Sequence, residues 1–364
     1  MKLTNRIDTF LLAMIVGISL FGWLMVTSSS MTVAAENHHD PYYYSIRQLA
    51  HLLLMYIVMF VVMVTPLPII KKSVPWVFLC SVILLVLIFI PGIGRHVNGS
   101  TRWLNLFFFS FEISELIKCS VIMYLARYLS DRSSRSWLKL FLWFMMIALL
   151  LLMQPDFGAL FVLTFIVLTM GFLSGVSLRY FILIGSVLSM ALIGVMVQQP
   201  YRMERIATFY DPWSQPYDQG YQLIQSLIAI GNGGFWGVGI GNSIQKWFYL
   251  PESHTDFIFS IIVEELGAGA GLALIIAYLV LILHIIWSGV RKTDAFSQNL
   301  HFGVGAWLLI QVIIGLCVPL GLLPTKGLTL PLISYGGSSL LALGMAFGLL
   351  LKNDSSELSP KEQP

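Results

Sequence analysis

Ten apolar runs, each long enough to cross a bilayer, leave this chain little choice of architecture. In windows of about 19 residues they fall at 10–28, 48–66, 75–92, 111–129, 137–154, 156–174, 179–198, 257–287, 303–320 and 336–351. About 20 apolar residues span the hydrocarbon as one helix, and lipid offers the backbone no outside hydrogen-bond partner. The expected fold is therefore all-α, a polytopic integral membrane protein forming a single domain over residues 1–364 with about ten transmembrane helices. A large extracytoplasmic loop at about 199–256 separates spans seven and eight, and a tail follows from about 352 to 364. Composition agrees: 11% of residues are charged, against about 25% in soluble domains. The fourth run is the weakest because it holds Glu115 and Lys118, and only the Gln154-Pro155-Asp156 turn parts the fifth from the sixth.

The first run, Phe10 to Val26, exceeds the signal-peptide core of about 7–15 residues and contains Trp23. It is read as an uncleaved span, although Val33-Ala34-Ala35 resembles a cleavage site. With the N-terminus inside, thirteen basic residues fall on the inner segments and seven outside. Both termini are therefore expected in the cytoplasm. A net charge of +3 points to no nucleic-acid partner. Cys80, Cys119 and Cys317 lie scattered in apolar runs, as small buried hydrophobes do, and suggest neither disulfides nor metal ligands.

Polar and aromatic residues concentrate outside. The stretch 199–255 holds Arg202, Arg205, Tyr210, Trp213, Tyr217, Gln222, Gln225, Ser226, Lys246, Trp247 and Tyr249, types that bind sugars and phosphates but also suit an ordinary wet loop. Its glycines never take the G-x-G-x-x-G spacing, and Gln245 stands where a P-loop needs glycine before Lys246, which rejects a nucleotide site. Asp256 is expected in the first turn of the eighth span. There the helix N-terminus favours its ionised form while burial opposes it, so it could be a base or merely a cap. Glu264 and Glu265 lie deeper and need protein partners; by helical angle only Glu264 could share a cavity with Asp256. Glu115 and Lys118, three apart, are expected to pair, with Lys118 placed to neutralise an anionic headgroup.

Six segments in order resemble the SEDS family of shape, elongation, division and sporulation proteins. They are Asn98-Gly-Ser-Thr-Arg102-Trp103-Leu, Ser114-Glu115-Leu-Ile-Lys118, Gln154-Pro-Asp156-Phe-Gly158, Tyr221-Gln222-Leu-Ile-Gln225-Ser226, Leu250-Pro-Glu252-Ser-His254-Thr255-Asp256-Phe-Ile-Phe and Ser334-Tyr-Gly-Gly-Ser338-Ser339. Pro324-Thr-Lys326-Gly-Leu-Thr-Leu-Pro331 looks like the division branch, with an elongation-type polymerase as the alternative. Departures exist: Glu112-Ile113 stands where the family usually shows Gln-Pro, and Gly315, Cys317 and Pro319 replace its common Asn, Gly and Asn.

The resemblance implies a peptidoglycan glycosyltransferase that polymerises lipid II outside the bacterial inner membrane, at the division septum. Asp256 matches the family's catalytic carboxylate, taking a proton from the acceptor 4-hydroxyl as undecaprenyl pyrophosphate leaves with inversion. Arg102, Lys118, Arg205, Lys246 and Lys326 are the candidates to hold the pyrophosphate. Trp103, Glu115, Asp156, Gln222, Gln225, Ser226, Glu252, His254, Thr255, Ser334 and Ser338 are further candidates for substrate contact. No acidic triplet marks a metal site, and a magnesium or manganese requirement stays open. A class B penicillin-binding protein and other divisome membrane proteins are the implied partners. Translocation of lipid II and a scaffold without catalysis are the competing functions.

Overall fold

The structure, a computed structural model, describes residues 7–97, 100–106, 109–131, 136–177, 179–186, 208–218 and 220–352. Arg202, Arg205 and the second half of the seventh expected span lie outside the described residues. The chain forms α1 (Thr9–His38), α2 (Tyr43–Val64) and α3 (Leu67–Leu87), then strands β1 (Gly94–Val97), β2 (Ser100–Leu106) and β3 (Phe109–Glu112). There follow α4 (Ile113–Ser130), α5 (Trp137–Met153), α6 (Phe157–Leu173), α7 (Tyr221–Gly233), α8 (Ile258–Val290), α9 (Ala295–Cys317) and α10 (Gly337–Leu350). Residues 179–186 are also helical.

Five of these, α1, α2, α3, α8 and α9, are long and apolar enough to cross a bilayer, and α5, α6 and α10 are shorter apolar helices. α4, with Glu115, Lys118 and Arg127 in its 18 residues, is not among them. The helices begin and end where local chemistry dictates. Asp8 caps α1 by accepting from the Leu11 N–H at 2.9 Å, and Asp156 caps α6 through Ala159 at 3.1 Å. Pro155 thus ends one span just before its neighbour starts the next. α1 continues unbroken past Val33-Ala34-Ala35, with Ala34 buried.

Two features depart from the all-helical expectation. Residues 94–112 form a three-stranded antiparallel sheet in the order β1-β2-β3, so α4 starts at Ile113 and not at 111. The long loop before α8 also contains α7, packed on α8. α8 is itself interrupted at Gly267, whose φ is 86°. A Cβ there would lie 2.2 Å from the Phe235 carbonyl oxygen, so the incoming loop requires glycine at this break.

Packing fixes the direction of the spans. Trp23 donates to the Ser45 carbonyl at 3.1 Å and Ser19 meets Tyr56 at 2.6 Å, so α1 and α2 run antiparallel. α10 runs parallel to α2, since Gly337, Gly344 and Gly348 press in turn on His51, Met55 and Met59. Asp8 meets His284 at 2.7 Å and Lys71 meets Asp294 at 2.8 Å. The described ends of the chain therefore share one end of the bundle with Lys71, His284 and Asp294. α9 is the central helix, packed on α4, α6, α8 and α10, with Trp307 and Gln311 fully buried.

Polar side chains inside the bundle are cross-braced. Lys118 reaches Glu115 at 2.6 Å and Gln311 at 3.4 Å. Glu265 accepts from Ser28 at 2.6 Å and pairs with Lys246 at 2.9 Å, while the Thr32 hydroxyl donates to the Lys246 carbonyl at 2.7 Å. Glu264 accepts from Ser243 and, at 3.2 Å, from the Ile244 N–H. Glu264 thus shares no cavity with Asp256. These braces tie the 234–250 segment to α1 and α8.

Removing one partner of such a buried pair strands the other charge and costs about 3–5 kcal/mol, whereas an apolar pair of similar size is tolerated. Glu265→Gln is expected to lower the thermal stability of the detergent-solubilised protein strongly, and Glu265→Leu combined with Lys246→Met to recover most of it. Equal stability of wild type and Glu265→Gln would show that the brace does not hold the loop.

Candidate functional site

At the end of the bundle opposite Asp8 and His284, a cavity of about 1210 Å³ opens among α1, α2, the sheet and the loops that enter α8 and α10. Asp256, Glu252, His254 and Thr255 line it from the α8 side, Arg102, Trp103 and Glu112 from the sheet, and Ser338 from α10. Its volume is somewhat above the roughly 300–1,000 Å³ of ordinary small-molecule sites.

Asp256 sits two residues before α8 begins, in the turn that approaches it and not in the helix itself. Backbone bonds shape that turn: the Thr255 and Phe257 N–H groups donate to the Glu252 carbonyl at 3.2 and 3.3 Å, and Glu252 takes a left-handed φ of 55°. Ser334 then clamps it. Its hydroxyl donates to the Thr255 carbonyl at 2.6 Å while accepting from the Leu330 N–H at 2.9 Å, and the Tyr335 N–H donates to the His254 carbonyl at 3.0 Å. Ser334 is thus joined to the cavity wall through the backbone beside Asp256. Gly327 lies against the carboxylate, where a Cβ would stand 3.0 Å from Oδ2 and press on the carboxylate.

Burial, with the negative charge of Glu252 adding, pushes the Asp256 carboxyl up to about 7. The group is then divided between acid and base near neutral pH, the condition a general base needs. Burial also pulls His254 below its usual value, against the opposing field of Glu252.

Arg102 reaches the Pro155 carbonyl at 2.5 Å and Asp156 at 3.7 Å, and its buried Nε has no partner. Its guanidinium is partly exposed on the cavity wall, which leaves donors for a ligand oxygen. Asp156 does not line the cavity but anchors Arg102 to the start of α6. Glu115 and Lys118 lie beneath the wall, connected to it by Gln311, which donates to the Thr329 carbonyl at 3.0 Å; Thr329 in turn reaches Ser339 at 3.2 Å. Lys326 is partly buried with its ammonium 4.9 Å above the Phe161 ring. Lys246 is held by Glu265, and Ser226 joins Ser260 at 2.6 Å and the Pro319 carbonyl at 2.7 Å, as a fastener between α7 and α8. Gln222 and Gln225 sit on α7, away from the cavity lining. Arg205 is outside the described residues.

Tyr44, Arg47 and His51 of α2 line the same cavity and were not among the residues expected from sequence. Tyr335 packs against Tyr44 and His254 at ring-centroid distances of 5.3 and 5.7 Å, giving the wall an aromatic surface. The signal was present: Tyr44 and Arg47, just before the second apolar run, and His51 inside it recur at spacings of three and four, which marks one helix face. Among the described residues no group of three or more His, Cys, Asp or Glu is placed to hold a metal ion, so no step is assigned to one.

Known proteins share both sequence and fold. A family model described as "Cell cycle protein", grouping FtsW, RodA and SpoVE, matches residues 8–358. The probable peptidoglycan glycosyltransferase FtsW of Nitrosococcus halophilus is 43% identical over 366 residues, covering 98% of this chain and 95% of its own length. Its counterpart in Coxiella burnetii is 41% identical over 354 residues, 95% of each chain. A solved structure described as the structural coordination of polymerization and crosslinking by a peptidoglycan synthase complex aligns with TM-score 0.77 and 29% identity, over 95% of this chain and 97% of that one. The rod shape determining protein RodA of Thermus thermophilus aligns with TM-score 0.70 and 26% identity, over 96% of both. With a motif set, a bundle and a full-length sequence match in agreement, the chain belongs to the SEDS family of FtsW, RodA and SpoVE cell cycle proteins.

Proposed function

We propose that this chain is a peptidoglycan glycosyltransferase that polymerises lipid II during septal wall synthesis, with Asp256 as its general base. The observation that carries the reading is Asp256 on the wall of a polar, aromatic cavity that also presents Arg102. The acceptor sugar's 4-hydroxyl gives its proton to the Asp256 carboxylate as its oxygen bonds to C1 of the donor. The C1–O bond to the pyrophosphate breaks, and undecaprenyl pyrophosphate leaves from the opposite face, inverting C1. Arg102 holds the growing negative charge with charge-assisted hydrogen bonds from a site partly shielded from water. Arg47, standing 4.4 Å above the Tyr43 ring, supplies a second cation on the facing helix. Ser334 acts as a positioning residue for the turn that carries the base.

The names of the relatives support the reaction, and the peptidoglycan synthase complex supports a transpeptidase partner of the class B penicillin-binding type. Divisome membrane proteins would then be neighbours. The bacterial inner membrane is the expected location, with ten spans, the cavity outside and both termini in the cytoplasm. Joint placement of the described ends at one end of the bundle, with basic residues beside them, supports that orientation. A reporter fused after residue 364 is expected to be active only when it requires the cytoplasm; activity only outside would reverse the orientation.

Purified protein with its transpeptidase partner and lipid II is expected to yield glycan strands on a gel. Asp256→Asn and Asp256→Ala are expected to lower the rate by at least about 10²-fold. Because the base works deprotonated, turnover should rise as pH increases through about 7. Wild-type rates from Asp256→Asn would remove the carboxylate from the mechanism.

A further inference from the structure

Asp256 is not the only carboxyl on the cavity wall. Glu112, the last residue of β3 and the residue just before α4, also lines the cavity, together with its neighbours Ser110 and Phe111. Its backbone is fixed from two sides: it pairs in register with Trp103 of β2, and its N–H donates to the Ser338 hydroxyl of α10 at 2.9 Å. The Ser114 hydroxyl of α4 donates to one carboxyl oxygen at 3.0 Å. The side chain is therefore anchored at the corner where sheet, α4 and α10 meet.

That corner contains several unsatisfied polar atoms. Glu115 Oε2, Asp156 Oδ2 and Arg102 Nε are all buried without a hydrogen-bond partner, and Glu115 and Asp156 are each at least nine-tenths buried. Of these three residues only Arg102 lines the cavity, and its partly exposed guanidinium is the donor open to a ligand there. Arg102 offers a donor to an anion, and the anion in the proposed reaction is the leaving diphosphate.

We propose that Glu112 is a second substrate-contacting residue of this cavity, donating a hydrogen bond from its carboxyl to a phosphate oxygen of the diphosphate as it departs. The inference rests on the glycosyltransferase reading given above. The acceptor oxygen forms its bond to C1, the C1–O bond to phosphate breaks, and its electron pair goes to the diphosphate. The acceptor proton goes to Asp256. The Glu112 proton stays on Glu112, shared with the phosphate oxygen, so no net charge is added or lost.

The electrostatic setting keeps that proton in place. Glu112 faces Glu115 and Lys118 of α4 and Asp156 before α6, with Arg102 of β2 paired to Asp156. Burial, reinforced by the charges of Glu115 and Asp156 and opposed by Lys118 and the Ser114 bond, pushes its carboxyl up to about 8. Below that pH the group is a donor. Above it the group becomes an anion, which accepts but does not donate and repels a diphosphate. The two carboxyls then set opposite limbs of one pH profile, rising through about 7 with Asp256 and falling through about 8 with Glu112.

The test compares strand synthesis from lipid II by the full-length protein with its transpeptidase partner, as wild type, Glu112→Gln, Glu112→Ala and Asp256→Asn, from pH 5.5 to roughly 9.5, the range that brackets both limbs. Glu112→Gln keeps a donor that does not titrate and is expected to stay active while losing the alkaline fall. Glu112→Ala is expected to lower turnover roughly tenfold to hundredfold, with lipid II binding and elution on size exclusion like wild type. The inference is overturned if Glu112→Gln retains the wild-type alkaline limb, or if Glu112→Ala turns over at the wild-type rate. If Asp256→Asn matches wild type while the Glu112 variants behave as expected, the base assignment fails and the donor assignment stands. If wild type makes no strands at any pH, both fail.

Discussion

A charge inside a membrane bundle must meet a partner, and that requirement organises this protein. Lys118 is held by Glu115 and Gln311, Lys246 by Glu265, and Glu264 by Ser243 and a backbone N–H. The Lys118–Glu115 pair lies within α4, while the contacts of Lys118 with Gln311, Lys246 with Glu265 and Glu264 with Ser243 cross between elements. Desolvated ions gain little net stability from pairing, but an unpaired one is costly, so these contacts restrict how helices can slide or rotate. Their effect is to give a bundle with apolar sides a rigid end around the cavity.

Rigidity at that end matters because the proposed base is on a turn. Asp256 precedes its helix, and Ser334, Tyr335 and Gly327 from the segment before α10 determine where the turn lies. The same segment is joined through Thr329 and Gln311 to the Glu115–Lys118 pair. A continuous chain of hydrogen bonds therefore runs from a buried ion pair to the wall of the cavity. Precise placement within about an ångström is what a positioned base contributes to catalysis.

The five long apolar helices and the three shorter ones were legible because hydropathy is a long-range average that single residues barely disturb. The Gln154-Pro155-Asp156 break and the pairing of Glu115 with Lys118 followed from local chemistry. Asp256 and Arg102 were legible as parts of dense polar motifs, and both line the cavity. Other residues were misplaced because their partners are remote. Lys246 looked free for a pyrophosphate until Glu265 and Ser28 were brought beside it, and Ser226 proved to join Ser260 and Pro319. His51 was hidden inside an apolar run and Arg47 just ahead of it, and the sheet by its shortness. Glu112 showed only as a departure from a motif, although the fold puts it on the cavity wall.

The account comes down to whether the two reacting sugars meet at this cavity. A cryo-EM structure of the Asp256→Asn protein with lipid II would show it directly. The account predicts a sugar hydroxyl within hydrogen-bond reach of residue 256, and the diphosphate against Arg102. Sugars bound elsewhere, or a diphosphate at the end of the bundle that holds Asp8 and His284, would contradict it.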